Sequence, residues 1–177
     1  MRALLTLSFA TLASAAFAAG GDEDTPPTPT QTTTVCEDNQ VYDEETKSCV
    51  AADEQSLHDT QRYNAVRELA YAGDYDRALS VLAAAKNPMD PRFLNYQGFI
   101  SRKQGDIAKA IFFYQQALAI DPDYNLARSY MGQGLFAAGD IAGAEAQLSE
   151  IAARGGKQGW PYRALAMTLN GIKGGSY

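Results

Sequence analysis

The sequence predicts an all-α fold, an array of three helical hairpins followed by a capping helix, behind an N-terminal linker and a small cysteine-closed hairpin. Three observations carry that prediction. Gly98, Gly105, Asp106, Ile107 and Ala110 recur 34 residues later as Gly132, Gly139, Asp140, Ile141 and Ala144. A weaker earlier copy places Gly73, Asp74, Tyr75 and Ala78 at an offset of 32. Asn87-Pro88 and Asp121-Pro122 stand between successive copies, where proline restricts its predecessor and cannot continue a helix. A self-similar period of this length marks stacked units that bury a continuous core only together.

Met1 and Arg2 give a weakly positive start, Leu4 to Leu12 an apolar stretch, and Ala16-Phe17-Ala18 small residues where a signal peptidase reads. Residues 1–18 are therefore expected to be an export signal cleaved after Ala18. The apolar run of about 16 residues falls short of the roughly 20 needed to span a bilayer. No integral membrane segment is expected after its removal. Export, to a periplasm or beyond the cell, exposes Cys36 and Cys49 to oxidising conditions, so a disulfide is the natural reading.

Residues 19–35 are acidic and then rich in threonine and proline, with almost no aliphatic side chain. Such a segment cannot bury enough surface to offset the entropy of ordering, and a disordered linker is expected. Residues 36–50 read as a miniature hairpin, Val41 and Tyr42 facing Ser48 to Val50 across a turn. An isolated two-stranded hairpin is marginal, and a bridge closing this loop adds roughly 3 kcal/mol through the unfolded chain. The segment resembles cysteine-flanked pieces of many secreted proteins, which leaves two roles open: a cap or spacer, or a wall- or carbohydrate-binding anchor. Residues 51–58 lead into the first helix.

The repeats are expected at 59–90, 91–124 and 125–156, with a capping helix and tail at 157–177. Gly73, Gly105 and Gly139 end first helices where the backbone turns left-handed. Asp74, Asp106 and Asp140 are placed to cap the helices that follow. Ala78, Ala110 and Ala144, like Gly98 and Gly132, are small where paired helices approach. The helices are expected near 56–72, 75–86, 91–104, 107–120, 125–138, 141–154 and 160–170. Pro161 suits the first turn of the last, which carries Leu165, Met167 and Leu169.

With this spacing, and with the unit NYQGFISRKQGDIAKAIFFYQQALAIDP, the chain resembles the tetratricopeptide repeat family over residues 59–156. Where that family usually has a tryptophan, four residues before the first small residue, these copies carry Arg62, Leu94 and Arg128. The resemblance implies a right-handed superhelix whose first helices line a concave groove that binds a protein or peptide. Carried over position by position, the groove holds Tyr63, Asn64, Arg67 and Tyr71 from the first hairpin. The second adds Asn95, Tyr96, Phe99, Arg102 and Lys103, and the third Ser129, Tyr130, Gln133 and Phe136. Tyr96 and Tyr130 share the 34-residue offset and would stack as a ladder, with Asn64 and Asn95 meeting a peptide backbone. The competing reading is that these aromatics pack the superhelix on itself. The pattern of lysine and asparagine with which the cytosolic co-chaperone subfamily grips a C-terminal carboxylate is missing.

The net charge of −6 is uneven: residues 19–57 carry −9 and those from His58 onward +2. An acidic arm and a nearly neutral remainder without a basic stripe argue against nucleic acid. His58 and Trp160 read as a capping and a packing residue. No Ser/His/Asp, Cys/His or metal-ligand spacing stands out, so neither catalysis, a cofactor nor a metal is expected. The sequence does not specify an oligomeric state. The resemblance, with the export signal, implies an exported adaptor, a scaffold role in the cell envelope being the leading expectation.

Overall fold

The structure is a computed structural model that describes residues 32–172. The expected signal and most of the expected linker lie outside the described residues.

A 3-10 turn, Thr33–Val35, leads into strands β1 (Gln40–Asp43) and β2 (Ser48–Ala51). They pair antiparallel with Val41 opposite Val50 and Tyr42 opposite Cys49. Cys36 and Cys49 are disulfide-bonded, their Cα atoms 5.7 Å apart. The turn is held by Asp43, whose carboxylate accepts from the Glu45 N–H and the Thr46 hydroxyl.

Seven α-helices follow among the described residues: α1 Asp59–Ala72, α2 Tyr75–Ala83, α3 Pro91–Lys103, α4 Ile107–Ile120, α5 Asn125–Ala137, α6 Ile141–Ala153 and α7 Trp160–Leu169. Each of the first three pairs turns on a left-handed glycine, with φ of 82° at Gly73, 88° at Gly105 and 85° at Gly139. Asp106 and Asp140 cap their helices, accepting from the Lys109 and Gly143 N–H groups. Asp74 departs from expectation and makes no such bond, because Arg77 draws its carboxylate to 3.2 Å.

Two helix ends differ from the sequence reading for a local reason. Helix α1 begins at Asp59 rather than 56, since His58 and Gln61 form a capping box there. Helix α2 stops at Ala83 rather than 86, and the freed N–H groups of Lys86 and Asn87 donate to the Asp59 carboxylate. Burial alone would raise the Asp59 pKa; those two N–H bonds and the Arg62 charge outweigh it and hold the carboxyl below its usual value.

Helices α1, α3 and α5 lie side by side as an inner row, each paired with the helix that follows it, and α7 packs on α5 and α6. The small residues serve close approach. A Cβ on Gly98 would sit 2.6 Å from the Tyr114 ring, and one on Gly132 equally near Leu165. The core runs unbroken from Val41 and Leu57 through Val66, Phe93 and Tyr114 to Met131.

The hairpin is part of this core rather than a free module. Arg62, 1% exposed, donates to the carbonyls of Ala52, Glu54 and Leu57, gathering the strand-to-helix segment around one guanidinium. Arg77 of α2 donates to the carbonyls of Thr33 and Cys36. Glu68 of α1 accepts from the Thr32 hydroxyl and the Thr34 N–H, both at 2.7 Å. Residues 32–35, expected as linker, are instead fixed against the first helical pair. They supply backbone donors and acceptors to buried charged side chains, a role that needs no apolar side chain of their own.

Candidate binding face

The inner row brings together most of the residues assigned to the groove, but as two layers. The lower layer is aromatic. Tyr96 contacts Tyr63, Tyr71 and Phe99 with ring centroids 5.7, 6.0 and 5.9 Å apart. Phe99 continues to Tyr71 at 5.5 Å and Tyr130 at 5.3 Å, and Tyr130 to Tyr114 at 6.4 Å. These tilted and edge-on spacings are favourable for aromatic quadrupoles. The hydroxyls join as well: Tyr96 donates to Tyr71 at 3.1 Å, and Tyr71 and Tyr130 share a bond of 2.8 Å. Burial pushes the Tyr71, Tyr96 and Tyr130 phenols up, and the Tyr114 phenol up to about 12, so all are neutral donors at ordinary pH.

This corrects the expected surface. Tyr63, Tyr96, Phe99 and Tyr130 are buried, and so are Asn95, Ser129 and Gln133. The tyrosine pair is a floor between helices, not an open ladder along a groove. The physical cause is spacing. First helices packed at ring-contact distance leave a large side chain nowhere to go but between them. Asn95 is buried with neither amide atom hydrogen-bonded, whereas Asn64 is exposed.

The upper layer is what solvent reaches. Asn64 and Lys103 are exposed, and Arg67, Tyr71, Arg102 and Phe136 half-buried. Three cations stand over the floor: Arg67 is 5.9 Å from the Tyr71 centroid, and Arg102 5.5 Å from Phe99 and 5.7 Å from Tyr130. Lys103 lies 5.5 Å from Phe99. Such contacts fix long side chains at small energetic cost because the ring face attracts the charge. Partial burial and then the Arg102 charge pull the Lys103 ammonium below its usual value, and among the described residues Lys103 has no ion-pair partner. Helices α3 and α5 together hold Arg92, Arg102, Lys103 and Arg128 and no acid. Arg92 is paired with Asp90 at 2.7 Å, and Arg128 donates to the Pro122 carbonyl. Helix α1 adds Arg62 and Arg67 with Asp59 and Glu68.

Sequence reasoning missed Arg62, Glu68 and Arg77 as organisers. The one available signal was an arginine where the repeat pattern carries tryptophan; Arg128, at the equivalent place, also binds the backbone preceding its helix. Among the described residues no group of three or more His, Cys, Asp or Glu is placed to hold a metal, and no helix is long and apolar enough to cross a membrane.

Residues 101–166, from the end of α3 into α7, match a family model described as tetratricopeptide repeat. No curated protein and no solved structure matches the chain.

Proposed function

We propose that the chain, whose residues 101–166 match a tetratricopeptide repeat model, is an exported adaptor that binds a protein or peptide partner across α1, α3 and α5. Its place is the cell envelope, the periplasm foremost, in assembly or maintenance, and it has no catalytic role. The observation that carries this reading is the two-layered inner face, a buried aromatic floor with Arg67, Arg102 and Lys103 over its rings. Repeats of this family generally mediate protein–protein interaction. Preformed floors of this kind lower the entropy lost on binding, and arginine with tyrosine is the composition of interaction hot spots. Export is supported by the N-terminal pattern and by the oxidised cysteine pair.

The test leaves the buried rings alone, since truncating Tyr96 or Tyr130 would damage the core. A triple Arg67→Gln, Arg102→Gln, Lys103→Gln chain is compared with the unaltered one in intact envelopes, with photo-crosslinking probes at Asn64 and Phe136. Loss of the crosslinked partner with an unchanged helical spectrum supports the proposal; undiminished capture refutes it. The rival anchor reading of the Cys36–Cys49 hairpin draws no comparable support, since Val41 and the hairpin's flanks are spent against the first helical pair. Deleting residues 19–52 would not separate the two readings, because it also removes the partners of Arg62, Glu68 and Arg77.

A further inference from the structure

We propose that the outer face formed by α4 and α6 docks a second copy of this chain, α4 of each copy lying along α6 of the other. The proposal is independent of the inner-face reading, since it concerns the opposite side of the array.

Spacing is the first argument. Helix α4 packs on α3 and α5, and α6 on α5 and α7, which leaves each with one side toward solvent. On α4 that side carries Ala108, Phe112, Gln115 and Ala119, all exposed. Steps of four, three and four residues are those by which a helix presents a seam to a neighbouring helix. On α6 the residues 34 positions on, Ala142, Ala146, Ser149 and Ala153, are exposed in the same steps. Neither seam holds a charge, whereas charged and polar residues ordinarily occupy a solvated helix face. Phe112 is 55% exposed, its ring set edge-on to Phe113 with centroids 5.6 Å apart. A large apolar side chain thus projects from one seam, and the corresponding place on the other is an alanine.

Charge selects the orientation. Helix α4 has one charged residue, Lys109, while α6 has Glu145 and Glu150 and no base. Among the described residues neither Lys109 nor Glu145 has an ion-pair partner. Laying α6 on α6 would set acids against acids; laying α4 on the other copy's α6 sets a base beside them. Short connections make successive helices antiparallel, so α4 and α6 run in the same direction. A two-fold axis parallel to them and midway between them then matches equal heights. Phe112 of one copy meets Ala146 of the other, and Lys109 comes beside Glu145. The patch is complementary to itself, as an isologous contact requires.

The third argument is what else could cover this face. Residues 19–31 and 173–177 contain no Val, Ile, Leu, Met, Phe or Trp. Once residues 1–18 are removed, a second copy and not a tail of the same chain supplies the apolar surface. Helix α4 has 14 residues, about 21 Å, and two helices side by side are about 20 Å wide, so the contact covers roughly 450 Å² on each copy. That is the size of a weak, reversible complex. In it the two inner faces point away from each other, and one assembly presents two of them.

Sedimentation velocity of the oxidised chain from Ala19 tests this. It should pass from monomer to dimer with a dissociation constant on the order of tens of micromolar, as a contact of this size predicts. Phe112→Glu and, separately, Ala146→Glu should each weaken association about tenfold or more with circular dichroism unchanged. Leu79→Glu, on the exposed side of α2, should leave it as it is. Lys109→Glu should weaken it about threefold, and adding Glu145→Lys should restore it. Gln115→Cys together with Ser149→Cys should give a covalent dimer on non-reducing gels, and neither single variant should. A chain that sediments as monomer throughout, or a dimer indifferent to Phe112→Glu, would overturn the proposal. Crosslinking by either single variant would overturn the pairing of α4 with α6. A monomer that cosediments with phosphatidylglycerol vesicles through Phe112 would overturn the second copy in favour of a lipid surface.

Discussion

Replacing Arg62 by alanine tests how the N-terminal segment is attached. The guanidinium is 1% exposed and donates at 2.8 Å to Ala52 and Leu57 and at 2.9 Å to Glu54, with Asp59 at 3.3 Å. A hydrogen bond from a charged group contributes about 1.5–3 kcal/mol, but the bonds of one guanidinium are not additive. Removing one member of a buried charged set costs about 3–5 kcal/mol, and that is the expected loss here. For a chain of this size it corresponds to about 10–15 °C in Tm. Arg62→Lys should recover less than half, since one ammonium cannot span three carbonyls that a planar fork reaches at once. Thermal melting followed by circular dichroism gives the first readout, and amide exchange of residues 52–57 the second. These amides should lose protection well before those of α5. A Tm drop under about 3 °C with unchanged protection would refute the clamp, leaving Leu57 and Ala52 burial as the real attachment.

Two other perturbations separate effects that look alike. Gly98→Ala should destabilise the chain by about 1–3 kcal/mol in urea, since its Cβ meets the fully buried Tyr114 ring at 2.6 Å. Gly132→Ala meets the distal methyls of Leu165 at 2.6 and 2.9 Å and the Gln147 Cβ at 3.3 Å, and because those methyls can rotate away more easily than a ring it should cost less; equal costs would contradict the packing described. On the alkaline side, the Tyr71, Tyr96, Tyr114 and Tyr130 phenols are raised, Tyr114 to about 12, against an unfolded value of 10. A raised folded pKa gives stability that is full below pH 10 and lost as pH climbs through the folded value. Phenolate absorbance should therefore rise in two stages, the second coinciding with unfolding; a single stage near pH 10 in the folded chain would contradict the buried hydroxyl network.

What the sequence made legible were the demands of local sterics. A left-handed turn needs glycine whatever surrounds it, so Gly73, Gly105 and Gly139 announce three helix ends, and Gly98 and Gly132 announce close approach. Capping was legible at Asp106 and Asp140 but not at Asp74, where Arg77 three residues on competes for the carboxylate. The aromatics were harder for a geometric reason. In a stacked array the positions facing the groove and those facing the next first helix share one period, so Tyr96 and Tyr130 fit either layer. Only inter-helix spacing decides, and no single chain position encodes it. Least legible were Arg62, Glu68 and Arg77. Their partners are backbone groups and a threonine hydroxyl in the preceding segment, which carry no periodic signal. The threonines at 32–34 looked like linker because composition reports hydrophobic burial and is silent on backbone atoms bound by buried charges.

A stack of helical hairpins is open at both ends, and each open end is a template on which another copy of the same stack can lie. Here neither end is left bare. The disulfide-closed hairpin, with Val41 and Leu57 in the shared core, covers the outer side of α1, and α7 seats Leu165 over Gly132 at the other limit. For copies to join end to end, one of these covers would have to be lifted. At the first end that means breaking the carbonyl bonds of Arg62 and Arg77 together. Among the described residues, both limits of the array are thus capped by side chains that the neighbouring helix pair already holds.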